Sequence, residues 1–123
     1  MFKPPGPVRP LVWVSSCKRD YDRFPAQLQR NLGFELFLAQ TGQHPPSAKL
    51  LKGFGSGIVE LIADFEGDAY RAVRFREAVY VLHAFMKKSK RGIKTPKSDI
   101  ELIRRRLRAA EADHAQRIRE RNP

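Results

Sequence analysis

A cluster of cations follows an apolar segment in the second half of this sequence. Its members are Lys87, Lys88, Lys90 and Arg91. Side chains of one charge at such close spacing repel one another unless an anion lies near them, although a solvated run of charges is the usual alternative. Phe85 comes just before the cluster and offers a ring on which an unpaired base can stack. The residue types therefore favour a site for a phosphate polymer with unpaired bases.

Three residues upstream of the cluster could supply acid–base or charge-stabilising chemistry. His83 titrates near neutral pH and could move a proton during RNA cleavage; the alternative is a structural histidine hydrogen-bonded within a sheet. Alternation along a strand puts Arg71 and Glu60 each on a face with apolar side chains. A charged residue in such a place lies at an exposed edge or points into a site. A plain cross-strand ion pair between the two fits equally well.

The sequence indicates neither a metal site nor a nucleotide loop. His44, His83 and His114 lack the spacing of metal ligands, and Cys17 is the single cysteine. The glycine-rich residues 52–57 precede a predicted strand, so they lack the helix N-terminus that binds phosphate in nucleotide loops. We therefore expect no metal ion and no cofactor.

The first half of the chain predicts a short strand and two helices. Residues 11–14 are β-branched and aromatic, and the serines after them can cap a helix. Pro25 suits the first position of a second helix over residues 25–40, for which Gly42 is the expected stop. The apolar face of this helix consists of Leu28, Leu32, Leu36 and Ala39.

The second half predicts an antiparallel meander. Strands are expected over residues 58–65, 69–75 and 78–85, with a tight turn at 76–77. Residues 79–82 are apolar on both faces, which is typical of a central strand covered on both sides. Residues 87–92 should then form an exposed basic loop.

A final helix should begin at Thr95 and Pro96. Its apolar stripe is Ile100, Ile103, Leu107 and Ala110, and its other faces should hold Arg104, Arg105, Arg106 and Arg108. We expect this helix to fray past Asp113.

Length and composition limit the class of protein. The chain has 123 residues, of which 41% are hydrophobic, and this fits one globular domain. The lone cysteine excludes an internal disulfide, and no apolar run approaches the roughly 20 residues that span a membrane. Residues 1–10 hold four prolines and no apolar block, which predicts a flexible tail and not a secretory signal. We expect a cytoplasmic protein that does not bind membranes.

The charge is strongly basic and uneven. The chain has 24 Lys and Arg against 13 Asp and Glu, a net charge of +11. Residues 83–123 carry 13 basic and 5 acidic side chains, net +8, whereas residues 1–82 carry 11 and 8, net +3. The second half should therefore face a polyanion, most commonly a nucleic acid, with an anionic membrane or an acidic protein as alternatives.

Six segments occur in a defined order over residues 11–110. They are residues 18–25 after the first strand; Pro46-Ser47-Ala48-Lys49 with Leu51-Lys52-Gly53-Phe54-Gly55; Tyr70-Arg71-Ala72-Val73; Val79-Tyr80-Val81-Leu82-His83-Ala84-Phe85; Lys87-Lys88-Ser89; and Thr95-Pro96-Lys97. Together they resemble the phage-derived branch of the RelE/HigB-type toxins, and an ordered set is more specific than any single motif. The strand after Val73 is about three residues shorter than in that family's pattern, and an odd loss reverses the faces of the residues that follow.

The resemblance implies an α+β fold and an RNA-cleaving toxin. The implied fold is a small antiparallel sheet with two N-terminal helices packed on it and a C-terminal helix. It would occupy residues 11–113, between a flexible tail at 1–10 and a basic tail at 114–123. The implied activity is metal-independent endonucleolytic cleavage of mRNA, usually on the ribosome, which inhibits translation and growth. The implied partner is a cognate helix-turn-helix antitoxin of a toxin–antitoxin pair.

The resemblance also implies roles for individual residues. Basic side chains would bind phosphate and stabilise the transition state, with His83 or Glu60 as acid–base groups. The expected catalytic residues are Arg71, His83, Lys87, Lys88 and Glu60. The expected RNA-binding residues are Lys49, Lys52, Phe85, Lys90 and Arg91.

Two other functions fit the same sequence. One is a non-enzymatic module that binds nucleic acid or the ribosome through the same basic cleft. The other is a degenerate toxin that binds only its antitoxin. A phosphate-binding lysine has the same sequence signature in all three cases.

Overall fold

The computed structural model describes residues 8–51, 53–54, 58–65, 68–75, 79–88 and 96–121, with backbone alone for residues 65, 68–75 and 87–88. Its elements in chain order are β1 (Leu11–Trp13), α1 (Cys17–Asp22), α2 (Ala26–Gln40), β2 (Lys49–Leu50), β3 (Ile58–Phe65), β4 (Asp68–Phe75), β5 (Val79–Lys88) and α3 (Lys97–Arg121). This is the expected α+β fold, with two helices before the main strands and one helix after them.

The described strands form one sheet in the order β1-β5-β4-β3-β2. Neighbouring strands from β2 to β5 are antiparallel, which confirms the meander, whereas β1 is parallel to β5. A parallel pair needs a long connection, and two helices and three strands lie between β1 and β5. The position of β5 inside the sheet agrees with its double-sided apolar segment, since residues 79–85 are all buried.

Helices cover both faces of the sheet. On one face, called the α1–α2 face, the helical residues Cys17, Tyr21, Leu28, Leu32 and Leu36 pack on Val59, Leu61 and Val81. On the other, called the α3 face, Ile103 and Ala110 pack on Ile58, Tyr80, Leu82 and Phe85. Each fully buried leucine of α2 contributes about 1.5–3 kcal/mol by leaving water. The two clusters share β5, so this strand lies at the centre of the core.

The second helix ends where the sequence predicts. Gly42 has a φ of 84°, and its N–H donates to the carbonyl of Ala39 at 3.1 Å. The N–H of Gln43 donates to the carbonyl of Leu38 at 2.9 Å. These two bonds satisfy the last carbonyls of α2 and require the left-handed conformation that glycine adopts without strain.

The last strand, β5, is longer than predicted. β5 continues through Lys88, with Lys87 paired to Ala69 and Lys88 paired to Asp68. The prediction of an exposed loop at these two lysines is therefore wrong. Lysine disfavours strands only weakly, and pairing with a neighbouring strand overrides this preference.

The final helix is also longer than predicted. It continues to Arg121 and does not fray after Asp113. The Nε of Arg117 donates to Asp113 Oδ2 at 2.7 Å, and the hydroxyl of Tyr80 donates to the same carboxylate. These contacts tie the C-terminal half of α3 to β5. The division between a domain and a tail at residue 113 stays a prediction.

The N-terminal segment is fixed at its described end. The N–H of Arg9 donates to the carbonyl of Gln40 at 2.9 Å, and Gln40 Nε2 donates to the carbonyl of Arg9 at 2.7 Å. Residues 1–7 of the expected flexible tail lie outside the described part of the chain. None of the described helices combines the length and apolarity needed to span a bilayer.

A bulge interrupts the pairing of β4 with β5. Val73 pairs with His83 but Arg74 pairs with Val81, so Leu82 is an additional residue on β5. Such an insertion shifts the alternation of a strand by one residue. It lies beside Val73, after which the resemblance implies a shortened strand. The expected pairing of the shortened strand with β5 is confirmed, and its turn at 76–77 lies outside the described residues.

Candidate functional site

One row of paired residues crosses four strands. Lys49 of β2 pairs with Glu60 of β3, Glu60 pairs with Val73 of β4, and Val73 pairs with His83 of β5. Directly paired positions share a face of the sheet. Neighbouring strands lie about 4.8 Å apart, so an amine, a carboxylate and an imidazole originate within roughly 14 Å on one face.

The next rows on this face add further predicted residues. Ile62, Arg71 and Phe85 form the second row, and Asp64, Ala69 and Lys87 form the third. Glu60 shares this face with Ile58, which contacts the α3 cluster, so all three rows belong to the α3 face. We call the following set the candidate face: Lys49, Glu60, Arg71, His83, Phe85 and Lys87. The sequence predicted every member, and the register brings them together.

The remaining predicted residues do not join this set. Strand alternation puts the Lys88 position on the opposite face from Lys87. Lys52, Lys90 and Arg91 lie outside the described residues. Their expected roles stay predictions.

Lys49 is exposed on the edge strand β2, and a side-chain network fixes the segment before it. Glu35 of α2 accepts from the Ser47 N–H at 2.8 Å and from the Ser47 hydroxyl at 2.7 Å. The same hydroxyl accepts from the N–H of Ile62 at 3.0 Å. Because these bonds join α2, the loop and β3, they fix the backbone immediately before Lys49. Sequence reasoning missed Glu35, since a single glutamate on a helix carries no local signal of such a contact.

His83 is a buried, hydrogen-bonded residue. Its side chain is 6% exposed, and its Nε2 lies 2.8 Å from Oδ1 of Asp99 in the first turn of α3. Burial lowers the pKa of His83 below its ordinary 6.5 and outweighs the raising effect of Asp99. The imidazole is therefore neutral at pH 7, and the Asp99 carboxylate assigns the proton to Nε2. This is the structural histidine that the sequence allowed, and it joins β5 to α3.

The geometry of His83 keeps some capacity for proton transfer. Its Nδ1 is left as the unprotonated nitrogen and has no hydrogen-bond partner among the described residues. An imidazole whose other nitrogen donates to a carboxylate is the arrangement found in general bases. A substrate would reach Nδ1 only if the atoms that cover it moved.

Phe85 lies against His83. The two ring centroids are 4.6 Å apart with an interplanar angle of 14°, and Phe85 is 9% exposed. In this arrangement the phenyl ring fixes the imidazole and is not presented to solvent. Its expected role in stacking on an RNA base stays a prediction that requires the ring to turn outward.

Glu60 is also buried, with 3% of its surface exposed. Arg71 pairs with Ile62 and so lies diagonally from Glu60, not opposite it. Diagonal neighbours on antiparallel strands lie about 7–8 Å apart, within reach of a long side chain. The Arg71 side chain lies outside the described ones, so the ion pair suggested by the sequence stays a prediction.

Sequence reasoning placed Arg106 on the wrong side of α3. The residue is 9% exposed and lies on the packed face with Ile103 and Ala110. Its Nη1 donates to the carbonyl of Leu82, the bulge residue, at 2.9 Å, and its Nη2 donates to Ser16 Oγ at 3.2 Å. A buried cation is tolerated because its guanidinium donates these two hydrogen bonds. Arg106 therefore holds the bulge immediately before His83.

A second arginine of α3 contacts the glycine-rich segment. The guanidinium of Arg104 lies 4.7 Å from the centre of the Phe54 ring, and Nη2 lies 3.5 Å from the carbonyl of Gly53. The segment continues into β3 and not into a helix, as the sequence indicated. Arg104 and Asp99 thus place the N-terminal half of α3 beside the candidate face.

Other chemistry is not supported among the described residues. No group of three or more His, Cys, Asp or Glu side chains in that part of the chain could hold a metal ion. Cys17 is fully buried, and burial raises the pKa of its thiol to about 12. Such a thiol stays protonated and unreactive at neutral pH.

Comparison with known proteins identifies one family. A family model described as Phage derived protein Gp49-like (DUF891) matches residues 19–108. The matched range extends from α1 into α3 and contains the whole candidate face. Searches of the curated proteins and of the solved structures give no match.

Proposed function

The chain belongs to the Gp49-like family of phage-derived proteins, a toxin-like family of the RelE/HigB type, and from this premise we propose that it is the toxin of a toxin–antitoxin pair and cleaves mRNA. One observation carries the proposal: three adjacent rows of the α3 face bring Lys49, Glu60, Arg71, His83 and Lys87 together. This set supplies cations for phosphate and groups for proton transfer within one surface.

The proposed reaction is attack of an RNA 2′-hydroxyl on the neighbouring phosphorus. The 2′ oxygen forms a bond to phosphorus while the bond to the 5′ oxygen breaks, which leaves a cyclic phosphate and a 5′-hydroxyl. A base takes the proton of the 2′-hydroxyl, and an acid supplies a proton to the leaving 5′ oxygen. The step consumes no water and requires no metal ion. Lys49, Arg71 and Lys87 stabilise the negative charge that develops on the phosphate.

Proton transfer belongs to His83 or Glu60 in this proposal. Neutral His83, with Nε2 bonded to Asp99, has the protonation state that suits a base. Glu60 occupies the same row two strands away. Both are buried, so the RNA must displace the atoms above them before the chemical step.

The partners follow from the family and the charge. A toxin-like protein of this type is paired with an antitoxin, here proposed to be a helix-turn-helix protein. The net charge of +11 suits mRNA on the ribosome in the cytoplasm. The proposed reaction uses no cofactor.

Adjacent lysines provide a matched test of the candidate face. We expect induced expression in bacteria to arrest growth and cut transcripts, and antitoxin co-expression to relieve the arrest. Lys87→Ala should lower cleavage about a hundredfold or more because a transition-state contact is lost. Lys88→Ala makes the same change at the adjacent strand position, which belongs to the other face by alternation, and should cleave far better. Equal losses would reject the candidate face, and intact transcripts with folded wild type would reject the nuclease.

A second function is favoured by the burial of both acid–base candidates. With Glu60 3% and His83 6% exposed, the described exposed group on the candidate face is a lysine, which binds phosphate without cutting it. Purified protein that binds RNA and slows translation but leaves RNA intact would establish this non-enzymatic role. Binding to the antitoxin alone, with no effect on growth, would establish a degenerate toxin.

A further inference from the structure

The outer face of α3 carries cations that the candidate face does not use. Three arginines within five residues are exposed, and we call them the arginine patch: Arg104, Arg105 and Arg108. Arg106 lies between them in sequence but turns inward to Leu82. The patch is therefore a surface feature, distinct from the arginine that stabilises the core.

The patch is not neutralised within the described part of the chain. None of its arginines forms an ion pair within 4.0 Å among the described residues. Together with Ser98 and Glu101 they line a shallow groove of about 390 Å³. Arg104 and Arg108 are four residues apart on one helix, a spacing at which like charges destabilise the helix. The three arginines and Glu101 give the groove a net charge of +2, which favours the binding of an anion from outside the protein.

The patch borders the candidate face. One turn before it, Asp99 binds His83, and Arg104 itself contacts Phe54 and Gly53, in the segment that follows Lys49–Leu50. The ring contact fixes the direction of one guanidinium. An extended polymer that is bound at the candidate face and continues toward this side of α3 would therefore contact the arginine patch.

We propose that the arginine patch binds the phosphate backbone of the RNA strand that flanks the bond held at the candidate face. The inference rests on the proposed function for the identity of the polymer. Phosphate is favoured over an acidic protein because each described residue that lines the groove is polar or charged, whereas the centre of a protein interface is apolar. Arginine also binds phosphate oxygens in a bidentate manner, which suits a run of phosphates.

The test uses RNA that cannot be cleaved. The probe is a mixed-sequence 2′-O-methyl oligonucleotide, which lacks the attacking hydroxyl, in a long form of about 16 nucleotides and a short form of about 4. The variant is Arg105→Gln with Arg108→Gln. The matched control is Arg119→Gln with Arg121→Gln, two exposed arginines at the far end of the same helix. All three proteins should melt at the same temperature because the changed residues are exposed.

The expected result is specific to position and length. Each phosphate contact contributes about 0.7 to the log–log salt slope of single-strand binding, so the patch variant should lose about 1.4 for the long probe. The short probe should bind the variant as it binds wild type, and the control should keep the full slope. Equal slopes for all three proteins, or equal losses in variant and control, would overturn the inference. Unchanged RNA binding with loss of antitoxin binding would show a protein surface instead. Cleavage of unmodified RNA by wild type is measured separately, so failure of the nuclease is distinguished from failure of the patch.

Discussion

Replacing Arg106 with methionine should destabilise the fold far more than the same change at Arg105. Arg106 is 9% exposed and donates to the Leu82 carbonyl at 2.9 Å and to Ser16 Oγ at 3.2 Å. Methionine keeps an unbranched apolar stem of similar length but removes both hydrogen bonds and the charge. Arg105 is exposed on the same helix, so its replacement controls for helix propensity and net charge.

The magnitude follows from the two bonds. A hydrogen bond with a charged donor contributes about 1.5–3 kcal/mol, and a buried carbonyl left without a donor costs about 1–3 kcal/mol. Removing the guanidinium also removes its own cost of burial, which offsets part of this loss. Ser16 is half-buried and can bind water instead. The net loss for Arg106→Met should be about 2–3 kcal/mol, or roughly 10 °C in Tm for a domain of this size.

Urea unfolding measures the difference directly. Trp13 is the single tryptophan and lies 4.9 Å from the Tyr21 ring, so its fluorescence reports the loss of packing between β1 and α1. Arg105→Met should stay within about 0.5 kcal/mol of wild type, with an unchanged dependence on urea in both variants. If Arg106→Met were also within about 0.5 kcal/mol, the bulge carbonyl would not depend on this arginine and the reasoning would fail.

Three further changes test other contacts. Burial lowers the pKa of His83 below 6.5, so the unfolded state takes up a proton first as the pH falls. The free energy of unfolding, measured by urea titrations at several pH values, should then decrease below about pH 6.5. His83→Gln should lose this part of the dependence on pH, and an identical dependence in variant and wild type would contradict the pKa argument. Gly42→Ala should cost about 1 kcal/mol in thermal unfolding because φ is 84°, and an unchanged Tm would show that the turn relaxes. Ser47→Ala removes the hydroxyl shared by Glu35 and Ile62 and should cost about 1–2 kcal/mol in urea; no loss would mean that water replaces the hydroxyl.

The order of elements could be predicted because local signals agree with the fold. The strand at Ile58–Phe65 has the predicted bounds, and Gly42 ends α2 as its conformational freedom indicates. The errors lie where long-range pairing decides. Lysines at 87 and 88 favour a loop locally, but β4 is available as a partner and extends the strand through them.

The candidate site was predictable as a set of residues and not as a geometry. Alternation within a strand groups Glu60 with Ile58, but no local pattern fixes which residue of the next strand lies opposite. The bulge at Leu82 changes the face of every later residue in β5 relative to simple alternation. Burial of His83 under α3 depends on Asp99 sixteen residues later. Arg106 was missed because a hydrophobic stripe assigns arginine to the solvent side, while the Leu82 carbonyl comes within reach of its guanidinium only in the folded sheet.

The parallel pairing of β1 with β5 has a consequence for synthesis of the chain. Leu11, near the start, has Val79 as its partner, and both apolar clusters draw on β5. At about 5–20 residues per second, roughly 3–14 s pass between translation of the first strand and translation of the last. During this interval α1 and α2 have no completed sheet to cover, and their apolar faces are open to chaperones. A nascent chain interrupted before residue 79 can form neither cluster, and because the second cluster also includes Ala110, the complete core exists only after about nine tenths of the chain has been made.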